Sequence, residues 1–356
     1  MLKLNEAYTD VANEVVYFYS NQLHRTCDEK TLIKTTCHMT VPVLINFVFW
    51  VLSQAKKDNI KTLYFLARDG FIMHHIGQSL ANVFFPEIEC KYFYASRYAV
   101  QNDDEQHIKL LVEYMRQEGV HRDSIALVDS GWLGSMQKNI QSIRHKYFRS
   151  ASIKGYYFGL LSKTNPHYGE YNAYLFSPEK NWPYSYGFNA SVFECLCSTN
   201  HGMVIGYKNG NIIKPVLKQH STTWHVDLQL CLIQHYTRVF LQRCNGADEI
   251  GLPLDTVKWL LLRFITSPTF DEARSYGSVL FAHDIGEKHL YHMAYEENNW
   301  FLKHNLPIAH FFNRLFRRRT APPIHWIEGT ATLSNTNTSL LLQLQLRLLY
   351  LYKYYR

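Results

Sequence analysis

The sequence predicts an α/β fold with a parallel sheet at its core and a mostly helical C-terminal region. Short apolar segments recur at residues 63–67, 92–95, 125–128 and 156–161, and stretches with helical spacing of apolar residues separate them. From residue 222 onward the apolar spacing is mostly helical. Apolar strands that alternate with helices are typical of a parallel sheet that is covered on both faces.

Composition places the chain among folded proteins and not among disordered ones. Apolar residues make up 47% of its 356 residues and aromatic residues 15%, which is ample for the core of one large domain or two moderate ones. The net charge of +7 suits an anionic ligand or a membrane surface, and we expect no nucleic-acid partner. Seven cysteines without framework spacing, and no signal peptide at the first residues, predict a reducing cytoplasm.

The first 60 residues are expected to form helices that pack on the core. Residues 5–34 have the spacing of an amphipathic helix, and Pro42 precedes a second, largely buried helix that ends near Ala55. The longest apolar run, residues 41–52, is too short to span a bilayer and contains Asn46. We therefore expect no transmembrane helix.

Residues 125–137 contain the most informative local pattern. Four apolar residues run into Asp129, Ser130 and Gly131, and Gly134 and Ser135 then open a segment with helical spacing. This order predicts a buried strand, a tight glycine loop and a helix. Backbone N–H groups at such a helix start can hold a phosphate, while the acid at the strand end faces the rest of the ligand. An ordinary strand-to-helix connection has the same pattern and is the structural alternative.

Charged residues follow the predicted strands. Arg68 and Asp69 come after the first strand, Arg97 after the second, and Asp129 after the third. Because ligands of parallel sheets gather beyond the carboxyl ends of the strands, this rim suits a sugar donor with phosphates at both ends. The Asp129 loop would bind a terminal phosphate and ribose hydroxyls. Arg68, the Gly70 turn and Arg97 would bind a leaving pyrophosphate with its Mg²⁺.

The chain changes character after the fourth apolar segment. Residues 162–190 are rich in Tyr, Asn and Pro and predict a long connecting or capping segment. Glu194 then lies in an apolar helical stretch, where a carboxylate needs a bonding partner or has a functional role. A helix cap or an ion pair is the structural alternative. Helices are expected over residues 226–244, 253–265 and 300–316. Cys195 and Cys197 have no matching second pair, so we interpret them as core packing, with a zinc site as the alternative.

The C-terminal end combines cations with apolar residues. Arg314 and residues 317–319 form a basic cluster, and residues 340–356 form an apolar tail with aromatic and cationic side chains. This tail is too polar to span a membrane but suits a membrane interface. A terminal helix docked on the core fits the same pattern, and the arginines also fit a solvated face.

A closer resemblance rests on five segments, which are residues 65–70 (FLARDG), 94–97 (YASR), 128–137 (VDSGWLGSMQ), 193–194 (FE) and 201–202 (HG). They resemble the glycan phosphoribosyltransferase domain of bacterial polysaccharide ribofuranosyltransferases in order and spacing, from about residue 35 to about residue 210. A weaker likeness covers residues 268–273 and 326–329. The likeness to type I phosphoribosyltransferases is more distant. The resemblance implies a phosphoribosyltransferase or Rossmann-like core.

That resemblance implies transfer of ribose 5-phosphate from phosphoribosyl pyrophosphate (PRPP) to a growing surface polysaccharide, O-antigen or capsule. The acceptor would be a lipid-linked glycan, reached from the cytoplasm at the inner face of the membrane. Residues 61–215 would form the donor-binding core, residues 216–330 the acceptor side and residues 331–356 an amphipathic tail. The implied donor-binding residues are Arg68, Gly70, Arg97, Asp129, Ser130, Gly131, Gly134, Ser135 and Gln137. For the proton acceptor we expect Asp69 first, because it follows Arg68 at a strand end, then Glu194 in its apolar surroundings and then His201, which is close to Glu194 in sequence.

The sequence departs from this family in two ways. The Asp-x-Asp-x-Thr signature of the haloacid-dehalogenase-like phosphatase that usually removes the 5-phosphate is absent, and the first 60 residues leave no room for that domain. We therefore expect a phosphorylated product unless a separate phosphatase acts. Ser130 follows Asp129 where the usual motif has two adjacent acids, so ribose recognition would rest on one carboxylate, which weakens the expectation of Mg²⁺.

Two other functions stay open. One is a non-catalytic assembly protein of a polysaccharide locus that keeps the fold and binds glycan or partner enzymes. The other is a haloacid-dehalogenase-like hydrolase, against which the missing nucleophile motif counts. The joint presence of Arg68, Asp69, Arg97, Asp129 and Glu194 favours the transferase.

Overall fold

The computed structural model describes residues 5–22, 24–219, 224–244, 246–282, 286–315 and 324–335, with residues 344, 345 and 348. Its centre is a parallel sheet in the spatial order β2-β1-β3-β4-β5. The strands are β1 (Thr62–Leu66), β2 (Glu89–Phe93), β3 (Ile125–Trp132), β4 (Lys154–Leu160) and β5 (Glu170–Phe176). The predicted α/β fold with a parallel core is therefore confirmed.

Helices connect the first four strands. These are α4 (Gly70–Phe84) from β1 to β2, α5 (Arg97–Val100) and α6 (Glu105–Glu118) from β2 to β3, and α7 (Ser135–Phe148) from β3 to β4. Phe65 and Val128 belong to one cluster of buried side chains, whereas their neighbours Tyr64 and Leu127 belong to another. Because successive strand residues point to opposite faces, both faces of the sheet are covered, as predicted.

The N-terminal region forms three helices, which are α1 (Glu6–Ser20), α2 (Cys27–Thr35) and α3 (Val41–Lys57), with a π-helical turn at Thr36–Thr40 between the last two. The prediction of one helix over residues 5–34 is wrong, because the chain leaves the helical path after Ser20. Thr26 then starts α2 with a capping box, in which its side chain and that of Glu29 bond each other's backbone N–H groups. This reciprocal pair satisfies N–H groups that a new helix would otherwise leave unbonded.

The segment over residues 162–190 contains β5, so its prediction as a connection is wrong. β5 pairs in parallel with β4, and its last four residues are buried. Tyr171, Tyr174 and Phe176 have the aromatic side chains that suit strands. The Asn and Pro residues around them hid this signal. Short 3₁₀ turns at Pro166–Tyr168 and Trp182–Ser185 border the strand.

The rest of the chain is mostly helical, as predicted. The helices are α8 (Ala190–Leu196), α9 (Val226–Arg243), α10 (Leu254–Thr266), α11 (Phe270–Gly277), α12 (Trp300–His304), α13 (Leu306–Leu315) and α14 (Ile327–Leu333). Two antiparallel hairpins were not predicted, and they comprise β6 (Val204–Lys208) with β7 (Lys214–Leu217), and β8 (Leu280–Ala282) with β9 (Leu290–His292). The helix expected over residues 300–316 is interrupted at Asn305, which has φ −119°.

Buried hydrogen bonds join the N-terminal helices to residues 236–252. The Tyr8 hydroxyl donates to the Ile250 carbonyl at 2.9 Å, and the Tyr236 hydroxyl donates to the Tyr8 carbonyl at 2.8 Å. The side chain of Asn46 donates to the Tyr8 hydroxyl at 2.9 Å and accepts from the Leu252 N–H at 2.6 Å. The N-terminal helices therefore share one core with α9 and α10, and this core also packs on the sheet.

One helical run, Cys27–Lys57, is long and apolar enough to cross a membrane by length and composition, and 83% of its most apolar window is buried inside the fold. A buried core helix passes the same test, so the absence of a transmembrane helix stays a prediction. The side chain of Arg314, residues 317–319 and nearly all of the tail over residues 340–356 lie outside the described residues. The predicted domain boundaries likewise stay predictions.

Candidate functional site

The centre of the sheet contains a topological switch point. β1 leads through α4 to β2 on one side, whereas β3 leads through α7 to β4 on the other side. Because β1 and β3 are neighbours, their connections diverge and open a crevice at their carboxyl ends. Ligands of open α/β sheets bind in such crevices, and a cavity of about 400 Å³ lies here.

Most of the predicted site residues line this cavity. They are Arg68, Asp69, Arg97, Asp129, Ser130, Gly131, Ser135 and Glu194. The other predicted residues, Gly70, Gly134, Gln137 and His201, are outside its lining. Side chains that the sequence did not point to complete the wall, among them Trp132, Trp224, Phe281 and Glu287. The crevice therefore brings together residues that are up to about two hundred positions apart in the chain.

Two acids meet at the carboxyl ends of β1 and β3. The chain leaves β1 through a cis peptide between Ala67 and Arg68, and Asp69 follows at the start of α4. The Ser130 hydroxyl donates to the Asp69 carboxylate, and the Ser130 N–H donates to Asp129 Oδ1 at 2.9 Å. Asp69, which follows β1, and Asp129 of β3 are therefore held next to each other through Ser130.

These acids have raised pKa values. Burial raises the pKa of Asp69, against the hydrogen bond from Ser130 and the charges of Arg68 and Arg97, which lower it. Burial and the charge of Asp69 raise the pKa of Asp129 to about 8. Because the carboxylates interact, they titrate as a cluster. At neutral pH the cluster therefore holds protons and can donate hydrogen bonds as well as accept them.

Glu194 is the third acid of the cavity and lies on α8. The indole N–H of Trp132 donates to Glu194 Oε1 at 2.7 Å. Burial and the charge of Asp69 raise the pKa of Glu194 to about 8. Within the described part of the chain no cation forms a salt bridge with Glu194, and the cap of α8 is Asn189. The structural alternatives of an ion pair and a helix cap therefore do not account for this carboxylate.

The two arginines have different surroundings. Arg68 forms an ion pair with Glu287, which precedes β9. Lys218 donates to the carbonyls of Gly286 at 2.9 Å and Glu287 at 2.7 Å, so it holds this part of the hairpin. Arg97 is exposed and makes no ion pair with any residue that the structure describes. One arginine is therefore already paired with an anion, and the other is open to one.

The position of Arg97 is set by the start of α5. Ser96 accepts from the Ala99 N–H at 3.0 Å, which caps the helix, and its hydroxyl donates to the Val204 carbonyl at 2.5 Å. The helix start is thus tied to β6. A residue that directly follows a doubly bonded cap has a well-defined backbone, so the Arg97 side chain starts from a fixed point at the cavity rim.

The predicted glycine loop is shorter than expected, because β3 continues through Asp129 and Gly131 to Trp132 and pairs with β4. Gly131 has φ +116°, and a Cβ there would lie 2.2 Å from the Gly159 carbonyl oxygen, so only glycine fits. Gly134, with φ +65°, precedes α7, whose first turn has no side-chain cap. Ser135 and Met136 of this turn line the cavity. Its backbone N–H groups are therefore suited to a phosphate.

Gln137 serves the fold. Its side chain is fully buried, accepts from the Tyr157 hydroxyl at 2.7 Å and donates to the carbonyls of Tyr168 and Glu170 at 3.1 Å each. Gly70 also serves packing, since a Cβ there would lie 2.8 Å from the Phe65 carbonyl carbon.

His201 lies beside the aromatic side chains of β2. Its Nδ1 lies 2.9 Å from the Gly202 carbonyl, and its Nε2 lies 2.7 Å from the Tyr92 hydroxyl. A carbonyl only accepts, so Nδ1 carries the proton and Nε2 accepts from Tyr92. Both ring nitrogens are therefore engaged outside the cavity lining.

The described residues contain no group of three or more His, Cys, Asp or Glu side chains that could hold a metal ion, so Asp69, Asp129 and Glu194 do not form one. Mg²⁺ usually binds through substrate phosphates with one or two carboxylates, so the expected Mg²⁺ stays a prediction.

No protein-family model matches the chain, and no curated protein matches it. The functional conclusion therefore depends on the cavity and its side chains.

Proposed function

We propose that the protein is a glycosyltransferase that transfers ribose 5-phosphate from PRPP to a glycan hydroxyl and releases pyrophosphate. The observation that carries the proposal is the composition of the switch-point cavity. An uncapped helix start, four acids and two arginines line one space of about 400 Å³. Each chemical part of the donor has a counterpart among them.

The 5-phosphate suits the first turn of α7. The N–H groups of that turn and the hydroxyl of Ser135 offer donors, and the helix dipole favours an anion there. Asp129 and Asp69 suit the ribose hydroxyls, because carboxylates accept hydrogen bonds when ionised and donate when protonated. Burial and the charge of Asp69 raise the pKa of Asp129 to about 8, and ligand hydroxyls between the two acids would relieve their mutual repulsion.

The pyrophosphate suits Arg68 and Arg97. A guanidinium binds two phosphate oxygens at once and keeps its charge at every physiological pH. Bound Mg²⁺ would neutralise further charge on the pyrophosphate oxygens. Stabilising the developing negative charge on the leaving group is the largest contribution that this site offers to catalysis.

In the transfer step, the oxygen of the acceptor hydroxyl forms a bond to the anomeric carbon while the bond from that carbon to pyrophosphate breaks. Attack opposite the leaving group inverts the configuration and gives a β-ribofuranoside. The hydroxyl proton goes to a carboxylate, and the electron pair of the broken bond leaves with pyrophosphate. Ribose 5-phosphate remains on the glycan, so a separate phosphatase would be needed to remove its phosphate.

The site favours Glu194 as the proton acceptor over Asp69, the first choice from sequence. Burial raises the pKa of Asp69, but its carboxylate already accepts from Ser130 and lies near Arg68 and Arg97, and these contacts suit a role in holding the donor. Burial raises the pKa of Glu194 to about 8, which is close to a working pH, where general bases are most effective. His201 has both ring nitrogens engaged outside the cavity lining.

The proposal includes the partner and the location that the resemblance implies. These are a lipid-linked glycan acceptor and the cytoplasmic face of the membrane.

Purified protein incubated with PRPP, Mg²⁺ and lipid-linked glycan should yield a glycan heavier by one pentose phosphate, together with pyrophosphate. Asp129→Asn in the same assay should yield neither.

Two outcomes contradict the proposal. If the protein binds glycan or PRPP but transfers pentose phosphate to none of the acceptors tested, it is an assembly protein. Release of inorganic phosphate from simple phosphate esters, without glycosidic transfer, would indicate a hydrolase.

A further inference from the structure

We infer that Trp132 is a positioning residue that fixes the carboxylate of Glu194 against the loop that receives the donor phosphate. The inference rests on the proposed function, because it takes Glu194 as the proton acceptor. Trp132 is the last residue of β3, whereas Glu194 belongs to α8. One hydrogen bond, from the indole N–H to Glu194 Oε1 at 2.7 Å, joins them.

The backbone at Trp132 is unusual for a large side chain. Its φ is +72°, in the left-handed region, and it follows Gly131 with φ +116°. Large side chains rarely adopt this conformation. Trp132 borders the cavity, and uncommon backbone conformations of this kind cluster at functional sites.

Ring packing holds the indole independently of its hydrogen bond. The ring centroid of Trp132 lies 5.2 Å from that of Phe188 and 5.6 Å from that of Phe193, the latter at an interplanar angle of 86°. Phe193 is itself buried and directly precedes Glu194 on α8. The direction of the N–H is therefore set by aromatic packing, and the carboxylate of Glu194 takes its orientation from it.

Glu194 is surrounded by charges from several elements. Asp69 at the start of α4 and Asp129 on β3 disfavour its ionised form, whereas Arg97 on α5 and the indole of Trp132 favour it. The thiols of Cys195 and Cys197 lie nearby, and burial keeps them neutral by raising their pKa values. Trp132 is therefore the neutral donor in this set, and it can be altered without changing the net charge of the site.

The consequence for pH follows from the direction of the bond. An N–H that donates to a carboxylate stabilises the ionised form, so its loss raises the pKa of Glu194 above its present value of about 8. A proton acceptor works only when it is ionised. The acidic limb of the rate profile should therefore move to higher pH when the indole N–H is removed, while the donor contacts stay unchanged.

The test is Trp132→Phe, which removes the N–H and keeps an aromatic ring in the packing. The carboxyl titration of Glu194, assigned by its disappearance in Glu194→Gln, is followed by infrared or NMR spectroscopy. We expect its midpoint to rise by about one to two pH units. We also expect kcat at pH 7 to fall about tenfold or more, with KM for PRPP unchanged. The rate should approach the wild-type value above the new midpoint.

Two further variants serve as a control and as a replacement. Trp259→Phe removes an indole from an exposed position on α10, outside the cavity, and should change neither quantity. If Trp132→Phe does not fold, benzothienylalanine at position 132 keeps the two-ring shape and replaces the N–H by sulfur.

An unchanged Glu194 midpoint, in whichever of these proteins folds, overturns the inference. The titration does not depend on turnover. If the wild-type protein transfers no pentose phosphate, the proposed function fails, while the midpoint still shows whether Trp132 controls Glu194.

Discussion

The hydroxyl of Ser130 donates to the carboxylate of Asp69 across neighbouring strands. The two residues are distant in sequence, yet this bond places the acid after β1 beside Asp129 in β3. Two acids that are far apart in sequence are therefore neighbours in the cavity. The relationship makes Ser130 part of the site in its own right, since its N–H also bonds Asp129.

Ser130→Ala should weaken PRPP binding. The variant removes the hydroxyl that donates to Asp69. Loss of this hydrogen bond raises the pKa of Asp69 and leaves its carboxylate without the contact that orients it. Loss of one hydrogen bond to a charged acceptor costs about 1.5–3 kcal/mol, so the Kd for PRPP by calorimetry should rise about tenfold or more. Ser142→Ala, on the exposed side of α7, is the matched control and should bind normally. Unchanged affinity in Ser130→Ala would remove Ser130 from the donor site.

Asp129→Asn should abolish transfer and stabilise the protein at alkaline pH. Burial and Asp69 raise the pKa of Asp129 from 3.8 to about 8. The folded state therefore binds this proton more tightly than the unfolded state does. Stability falls as pH rises from about 4 towards 8, because ionising the buried acid opposes folding. Asparagine carries no such charge. The melting temperature of the Asp129→Asn variant should therefore exceed that of the wild type at pH 9 and match it more closely at pH 5. A lower melting temperature at pH 9 would contradict this account.

Arg68→Ala and Arg97→Ala should each raise KM for PRPP and weaken inhibition by pyrophosphate. Lysine should restore only part of the affinity, because a point charge loses the two-pronged contact. Arg116→Ala, exposed on α6, is the control for a general loss of positive charge. If either cavity variant binds pyrophosphate as the wild type does, that arginine has a structural role.

Glu287→Gln should tighten PRPP binding. The carboxylate of Glu287 pairs with Arg68 in the donor-free protein, so an incoming pyrophosphate has to displace it. The neutral amide competes less and repels an anionic donor less, and KM for PRPP should fall. Glu179→Gln, exposed and away from the cavity lining, should have no effect. Weaker binding in Glu287→Gln would show instead that Glu287 holds Arg68 in its binding orientation.

Gly131→Ala should destabilise the fold severely. A Cβ at this position would lie 2.2 Å from the Gly159 carbonyl oxygen, and the backbone has φ +116°. The free energy of unfolding, measured in urea, should drop by about 2–5 kcal/mol. Gly251→Ala meets nothing within 4 Å and should leave stability almost unchanged. Equal stabilities of the two variants would show that β3 and β4 separate easily at this point.

Local patterns predicted the sheet and much of its rim. Apolar segments that alternate with helices indicate a parallel sheet. Because the ends of parallel strands meet at one edge, the sequence alone groups Arg68, Arg97 and Asp129. The sequence pattern did not predict β5, because its aromatic residues are embedded in a segment rich in Asn and Pro. The capping box of Thr26 and Glu29 was visible in the sequence and should have divided the first predicted helix.

Long-range contacts were beyond the sequence pattern. Glu287 reaches Arg68 through a hairpin whose strands have only three residues each, too short for a clear alternation of apolar and polar residues. Trp132 lay inside the most informative segment, but only the fold shows that its indole meets Glu194. His201 was grouped with Glu194 because they are close in sequence, and the turn that follows α8 separates them.

The bonds of Tyr8 to Ile250 and Tyr236 have a consequence for synthesis on the ribosome. The residues that cover α1 belong to α9 and the segment before α10, which emerge more than two hundred residues after it. During that interval Val11 and Val15, fully buried in the finished fold, lack their C-terminal cover. Nascent chains of this kind are exposed to aggregation until their late partners arrive. Chains stalled before residue 226 should therefore bind chaperones that hold apolar segments, whereas chains stalled beyond residue 300 should release them.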